Sequence, residues 1–131
     1  MVVLDTDLLI GLLRGNESAI TKIKEIEEQN TKIFTTSISS YELFRGAYLS
    51  SNSSKNMSQV AELLQNTKIL DFDLNASNTS AKIYLYLKKR GTLTNVMDQM
   101  IAAITISKNK TFVTRNINHY KNIPNLKIEN W

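Results

Sequence analysis

The chain has 131 residues, enough for one domain, and its 16 basic against 12 acidic side chains give a formal charge of +4. It contains no cysteine, which excludes a disulfide framework, a zinc ribbon and a thiol nucleophile. No apolar run approaches the roughly 20 residues that cross a bilayer, and residues 2–13 lack the basic start and cleavage site of a signal peptide. We therefore expect one cytoplasmic domain over residues 1–131, without a membrane partner and with a weak charge preference for RNA.

Short apolar segments alternate with helical patterns along the chain. The predicted elements are, in chain order, a strand at 1–5, helices at 8–13 and 17–29, a strand at 32–37, helices at 39–50 and 55–65, a strand at 68–72, helices at 76–90 and 96–108, and strands at 111–114 and 126–129. We expect glycines to stop two helices, after Arg14 and after Arg90. The polar stretch 50–58 is predicted to be a surface loop.

This alternation of strands and helices is typical of a parallel sheet with helices on both faces. The segment 96–108 is apolar on nearly all sides, which predicts a buried helix. The sequence therefore predicts an α/β fold, a three-layer α/β/α sandwich around a central parallel sheet of four to five strands. In such folds the active site lies at the carboxyl ends of the strands.

Acidic and amide side chains follow these predicted strands. Asp5 ends the first strand, Glu42 lies shortly after the second, Asp98 begins the buried helix, and Asn116 follows the fourth strand. In a parallel sheet these positions converge at one edge. Carboxylate oxygens are the ligands that Mg²⁺ and Mn²⁺ prefer, and such ions assist phosphodiester hydrolysis. The pattern predicts a metal-dependent hydrolytic site.

Each acid also has a purely structural interpretation. Asp5 could cap the helix that follows it, Glu42 stands at capping-box spacing from Ser39, and Asp98, three residues after Asn95, could interact with a helix dipole. Against this, a carboxylate ahead of an almost wholly apolar helix is costly unless it is paired or coordinated. The common placement of all three acids also favours a shared site.

Four segments together resemble the motifs of PIN-domain proteins, and of VapC-type toxins in particular. They are residues 3–10 with Asp-Thr-Asp, 37–47 with Glu-Leu-Phe-Arg-Gly, 91–103 with Asp ahead of Ile-Ala-Ala, and 112–120 with Thr-Arg-Asn. The ending, with Pro124 and Trp131, is similar to the family's as well. The resemblance covers the whole chain in order. It departs at Asn116, where the family often has Asp, and at Asp7, where Asn or Ser is usual.

The resemblance implies Mg²⁺- or Mn²⁺-dependent cleavage of RNA, a homodimer, and inhibition by a cognate antitoxin protein. We expect Asp5 and Asp98 to be catalytic metal ligands, Glu42 to bind the metal too or to orient the attacking water, and Asn116 to be a weaker fourth catalytic member. Four residues in or beside the motifs are expected on the substrate side, namely Thr6, Arg45, Thr114 and Arg115. An uncharged Asn116 favours one metal ion over two. Asp7 could point into the site or cap the first helix, and of these we expect the cap; His119 is expected to be structural.

Three alternatives stay open at this point. A housekeeping RNA-processing nuclease would have the same site as a toxin. A haloacid-dehalogenase-like phosphatase also begins with Asp-Thr-Asp after a strand, but here Leu8-Leu9 stands where that class has Gly-Thr. A non-catalytic PIN-like binding module would fit the loss of an acid at Asn116.

Overall fold

The computed structural model describes all 131 residues and contains five strands and seven helices. They are β1 (Val2–Leu4), α1 (Thr6–Leu13), α2 (Glu17–Glu28), β2 (Ile33–Thr36), α3 (Ser37–Leu49), α4 (Ser53–Gln65), β3 (Lys68–Leu70), α5 (Leu74–Lys89), α6 (Val96–Ser107), β4 (Thr111–Val113), α7 (Ile117–Tyr120) and β5 (Lys127–Glu129). One sheet, in the order β3-β2-β1-β4-β5, holds all five strands, and every neighbouring pair is parallel. The predicted parallel sheet is confirmed.

The sheet separates two apolar cores, because successive side chains of a strand point to opposite faces. Val2 and Leu4 of β1 lie in the core shared with α1, α2, α3 and α4. Val3, between them, lies in the core shared with α5, α6 and α7. Helices thus cover both faces, as the α/β/α prediction requires.

Helix α6 is the most deeply buried helix. Five consecutive residues from Ile101 to Thr105 are buried, so its apolar sequence on all sides reflects burial, as predicted. This burial fixes the position of Asp98, which lies one turn earlier. No helix of the chain combines the length and the apolar character that a membrane crossing requires.

The ends of α1 and α5 follow local chemistry. Asp5 caps α1 by accepting a hydrogen bond from the Thr6 backbone N at 2.7 Å, so the helix starts two residues earlier than predicted. The expected cap at Asp7 is therefore wrong. Gly15 and Gly91 adopt φ values of +69° and +65°, in the left-handed region that favours glycine. Both predicted helix stops are confirmed.

The predicted surface loop 50–58 is wrong over most of its length, because α4 already begins at Ser53. The helix buries Val60 and packs the partly buried Met57 against the core shared with α1 and α3. The polar residues among them belong to the exposed side of an amphipathic helix, and for that reason the segment reads as a loop in the sequence.

Candidate active site

Four carboxylates meet in one open pocket beyond the carboxyl ends of β1 and β2. Asp5 follows β1, Asp7 lies in the first turn of α1, Glu42 lies in α3 and Asp98 lies in the first turn of α6. All four line the same pocket of about 300 Å³, together with Asn116. The structure thus brings together the three predicted acids and adds a fourth.

Asp5 is the most buried of these acids, with 4% of its surface exposed. The Thr114 hydroxyl donates to its Oδ2 at 2.6 Å, and the Thr6 backbone N donates to its Oδ1. Burial raises the pKa of Asp5 to about 6; the two hydrogen bonds oppose this rise, and the charges of Asp7 and Asp98 add to it. Ionisation of Asp5 therefore costs more free energy in the pocket than in water, and a cation bound beside it would offset this cost.

Glu42 is oriented by a hydroxyl of the neighbouring helix. Thr6 Oγ1 donates to Glu42 Oε1 at 2.8 Å and lies 3.0 Å from Ser39 Oγ. Burial raises the pKa of Glu42, the hydrogen bond from Thr6 opposes that rise, and the charge of Asp98 adds to it. The cap of α3 is Thr36, six residues before Glu42, so the capping-box interpretation of Glu42 is wrong.

Asp98 is oriented by two aromatic side chains of α7. The Tyr120 hydroxyl donates to Asp98 Oδ1 at 3.1 Å, and His119 Nδ1 lies 3.2 Å from Asp98 Oδ2. Burial raises the pKa of the Tyr120 hydroxyl far above its ordinary value, so this group stays protonated and remains a donor. The cap of α6 is Asn95, which accepts from the Met97 backbone N, and a favourable interaction of Asp98 with the helix dipole is compatible with this arrangement.

Asn116 links β4 to the pocket. Its backbone N donates to Thr114 Oγ1 at 3.0 Å, so the Thr114 hydroxyl joins Asn116 to Asp5. Its side-chain amide donates to Asp7 Oδ2. Asp7 therefore belongs to the pocket instead of capping α1.

The two predicted substrate-side arginines lie in different places. Arg45 lines the acidic pocket, and its positive charge opposes the rise in the pKa of Glu42 that burial causes. The guanidinium of Arg115 lies 3.4 Å from the centre of the Trp131 ring and lines a separate cleft, which shares Asp7 with the acidic pocket. Of the two, only Arg45 faces the cluster of acids.

The donor chemistry of the pocket fits a hard divalent cation. It offers several carboxylate oxygens. Burial, and to a smaller extent the charges of Asp7 and Asp98, raise the pKa of Asp5 and Glu42, and a bound cation would oppose both effects. No group of three or more His, Cys, Asp or Glu side chains could hold a metal ion as it stands. Mg²⁺ does not require three direct side-chain ligands, because it keeps several water molecules and binds through one or two carboxylates plus substrate phosphate.

A family model described as the PIN domain matches residues 2–124 of the chain. The chain belongs to the PIN-domain family. Its relatives include ribonuclease VapC2 of Rickettsia felis and the tRNA(fMet)-specific endonuclease VapC of Salmonella typhimurium. Each is 30% identical to this PIN domain, over 98% of this chain and 96% of the relative.

Solved structures of toxin–antitoxin complexes contain the same fold. In VapBC2 of Rickettsia felis, bound to a promoter DNA fragment, the matching chain gives a TM-score of 0.91 at 28% identity and covers 100% of this PIN domain and 99% of itself. In DNA-bound VapBC of Salmonella typhimurium, the matching chain gives a TM-score of 0.90 at 28% identity and covers 99% of this PIN domain and 97% of itself. The resemblance drawn from the sequence motifs is confirmed.

Sequence reasoning missed part of the pocket. It treated His119 as structural and gave no role to Tyr120, yet both contact Asp98. It also assigned Asp7 to a cap and did not connect Ser39 with Thr6. A short helix predicted directly after β4 would have indicated that His119 and Tyr120 lie near the pocket, because such a helix keeps the chain at the edge of the sheet where β4 ends.

Proposed function

We propose that this PIN domain is an endoribonuclease that hydrolyses RNA phosphodiester bonds with a divalent metal ion, and that it is the toxin of a type II toxin–antitoxin pair. The observation that carries the proposal is the convergence of Asp5, Glu42 and Asp98 on one pocket from three separate segments of the chain. The names of the relatives, which are VapC ribonucleases, and the structures of VapBC complexes support it.

PIN-domain ribonucleases generally depend on a divalent metal, and we propose Mg²⁺ or Mn²⁺ for this chain. Asp5, Glu42 and Asp98 would hold the ion, directly or through water, in keeping with the way Mg²⁺ binds. When bound, such an ion activates water and neutralises charge on the phosphoryl oxygens. Asn116 adds no negative charge, which favours a single ion.

The other side chains of the pocket would position these acids and the substrate. Thr114 and Thr6 hold the carboxylates of Asp5 and Glu42 through their hydroxyls. Arg45, at the edge of the pocket, would contact a phosphate of the RNA, since its guanidinium can donate two parallel hydrogen bonds. In this scheme each carboxylate is oriented before the substrate arrives.

The test is cleavage of structured RNAs, including tRNA(fMet), the substrate named for the Salmonella relative. The intact chain is compared with Asp98→Asn, with Mg²⁺, with Mn²⁺ and with EDTA. We expect cleavage only by the intact chain with a metal ion. The matched control is Asp71→Asn, because Asp71 is an exposed acid outside the pocket and its loss should leave cleavage unchanged. Cleavage that survives Asp98→Asn would contradict the proposal, and an intact chain that cleaves with neither metal ion would favour a non-catalytic module.

The toxin role is tested in cells. Expression of the chain should arrest growth, Asp98→Asn should relieve the arrest, and co-expression of the cognate antitoxin should also relieve it. Growth without arrest would favour the housekeeping nuclease. The homodimer and the cytoplasmic location expected from the sequence stay predictions, and sedimentation and cell fractionation would test them.

A candidate binding groove for the antitoxin lies beside the acidic pocket. A groove of about 210 Å³ between α1, α3 and α4 is lined by Leu13, Leu43, Ala47, Val60 and Glu42 among others. Because Glu42 lines both the groove and the acidic pocket, an antitoxin helix packed on these apolar residues would end next to the carboxylates.

A further inference from the structure

We infer that a second cleft, lined by Arg14, Asn16, Arg115 and Trp131, binds the phosphate backbone of the RNA strand next to the cleavage site. The cleft has a volume of about 330 Å³. It shares Asp7 with the acidic pocket and Ile10 and Arg14 with the apolar groove, whereas Asn16, Arg115 and Trp131 line neither of these. This inference rests on the proposed ribonuclease function, because it assigns the path of that substrate.

The cleft continues directly from the acidic pocket. Asp7 lines both, and the cleft then follows Ile10, Gly11 and Arg14 along one face of α1. These residues are spaced at i, i+3, i+4 and i+7, which places them in a single stripe on a helix. At a rise of 1.5 Å per residue, Arg14 lies roughly 10 Å along the helix axis from Asp7. A strand whose reacting phosphate occupies the pocket would therefore bring a neighbouring phosphate to Arg14.

Arg115 contacts an aromatic ring and has no ion-pair partner, so its guanidinium can bind an anion. Its Cζ atom lies over the Trp131 ring at 3.4 Å from the ring centre, a cation–π contact that uses the face of the guanidinium and not its N–H groups. Neither Arg14 nor Arg115 takes part in any of the four ion pairs of the structure. Both positive charges therefore lack a carboxylate partner within the chain.

The other residues of the cleft provide hydrogen-bond donors and an aromatic surface. The Asn16 side-chain oxygen accepts from the Ala19 backbone N, which leaves its amide N–H groups as donors. The Trp131 ring lies close to Gly11, where a Cβ atom would be 3.6 Å from the ring. Its Nε1 is buried and has no hydrogen-bond partner within the chain.

The chemistry of the cleft favours RNA over a protein segment. Two arginines and an amide match the oxygens of phosphates, which receive most hydrogen bonds in protein–nucleic acid interfaces. The single acid of the lining, Asp7, is already hydrogen-bonded to Asn116. Recognition of phosphates carries little sequence information, so we expect this cleft to raise affinity for any single strand and not to select the target.

The test measures binding of a fluorescent single-stranded RNA oligonucleotide by anisotropy in EDTA, at several salt concentrations. The variants are Arg14→Gln and Arg115→Gln. The matched control is Arg90→Gln, because Arg90 makes the same kind of contact, 3.6 Å from the centre of the Tyr86 ring, but lies outside the cleft. We expect each cleft variant to bind about tenfold more weakly at low salt, and the slope of log affinity against log salt to fall by about 0.7 for each lost contact.

Kinetics with a metal ion complete the test, since a binding contact remote from the reacting atoms raises KM and leaves kcat unchanged. Arg115→Lys keeps the charge without the planar fork and should bind with intermediate affinity. Thermal melts of all variants check folding, and Arg14 is exposed, so its replacement should not disturb the core.

Unchanged affinity and salt slope in both cleft variants would overturn the inference while leaving the ribonuclease proposal intact, provided that Asp98→Asn still abolishes cleavage. Cleavage that persists in Asp98→Asn would instead defeat the proposed function itself. Normal RNA affinity with loss of antitoxin binding would show that the cleft is a docking surface for protein, which also overturns the inference.

Discussion

Replacement of Asp5 by Asn should stabilise the metal-free protein while it removes the activity. In the folded chain burial raises the pKa of Asp5 from 3.8 to about 6. Below pH 3.8 both the folded and the unfolded chain carry this proton. As the pH rises, the unfolded chain releases the proton first, so the stability of the folded state falls between pH 3.8 and about 6. Above that range the whole destabilisation is present.

The magnitude follows from the two pKa values. Each tenfold change in proton affinity is worth about 1.4 kcal/mol, so a rise from 3.8 to about 6 makes the folded state about 3 kcal/mol less stable at pH 7.5. Asn has the shape of the protonated acid and keeps an oxygen that can accept from the Thr6 backbone N. Allowing for weaker hydrogen bonds to a neutral acceptor, we expect Asp5→Asn to raise the free energy of unfolding by about 1–3 kcal/mol.

Urea denaturation in EDTA measures this effect. The gain should be largest at pH 7.5, smaller at pH 5, and close to zero at pH 3, where Asp5 is protonated in the folded state and largely protonated in the unfolded state. The control is Asp71→Asn, which replaces an exposed acid and should change stability little at any of the three pH values. A loss of stability on Asp5→Asn at pH 7.5, or a gain that does not vary with pH, would refute the reasoning.

Three further perturbations have defined outcomes. Tyr120→Phe removes the hydroxyl that donates to Asp98 but keeps the ring. Calorimetry should show weaker Mn²⁺ binding, and urea denaturation should show a free energy of unfolding lower by about 1–2 kcal/mol. Unchanged Mn²⁺ affinity would contradict the positioning role of Tyr120. Gly11→Ala would place a methyl carbon 2.8 Å from the Ala19 Cβ, and overpacking should lower stability by about 1–3 kcal/mol; an unchanged urea midpoint would show that the helices separate freely. Added Mn²⁺ should raise the melting temperature more at pH 7.5 than at pH 5, because Asp5 is largely protonated at the lower pH; equal shifts would point to binding elsewhere.

Local patterns in the sequence determine most of the fold and the principal acids. The alternation of apolar runs with helical patterns predicts the parallel sheet, and the all-apolar segment of α6 predicts its burial. The placement of Asp5, Glu42 and Asp98 after strands or at a helix start predicts their convergence, because parallel strands end at one edge. A polar helix face has the same composition as a surface loop, and for that reason the sequence predicts a loop over the first residues of α4.

Contacts between distant segments were decided only by the tertiary structure. The bond from Thr114 to Asp5 spans 109 residues of chain, and the bond from Thr6 to Glu42 spans 36. Tyr120 reaches Asp98 only because β4 and α6 pack side by side. The sequence by itself determined which residue types stand at the sheet edge, since period and strand ends are local properties. Which hydroxyl orients which carboxylate, and how far burial raises each pKa, depend on packing between segments that no local pattern specifies.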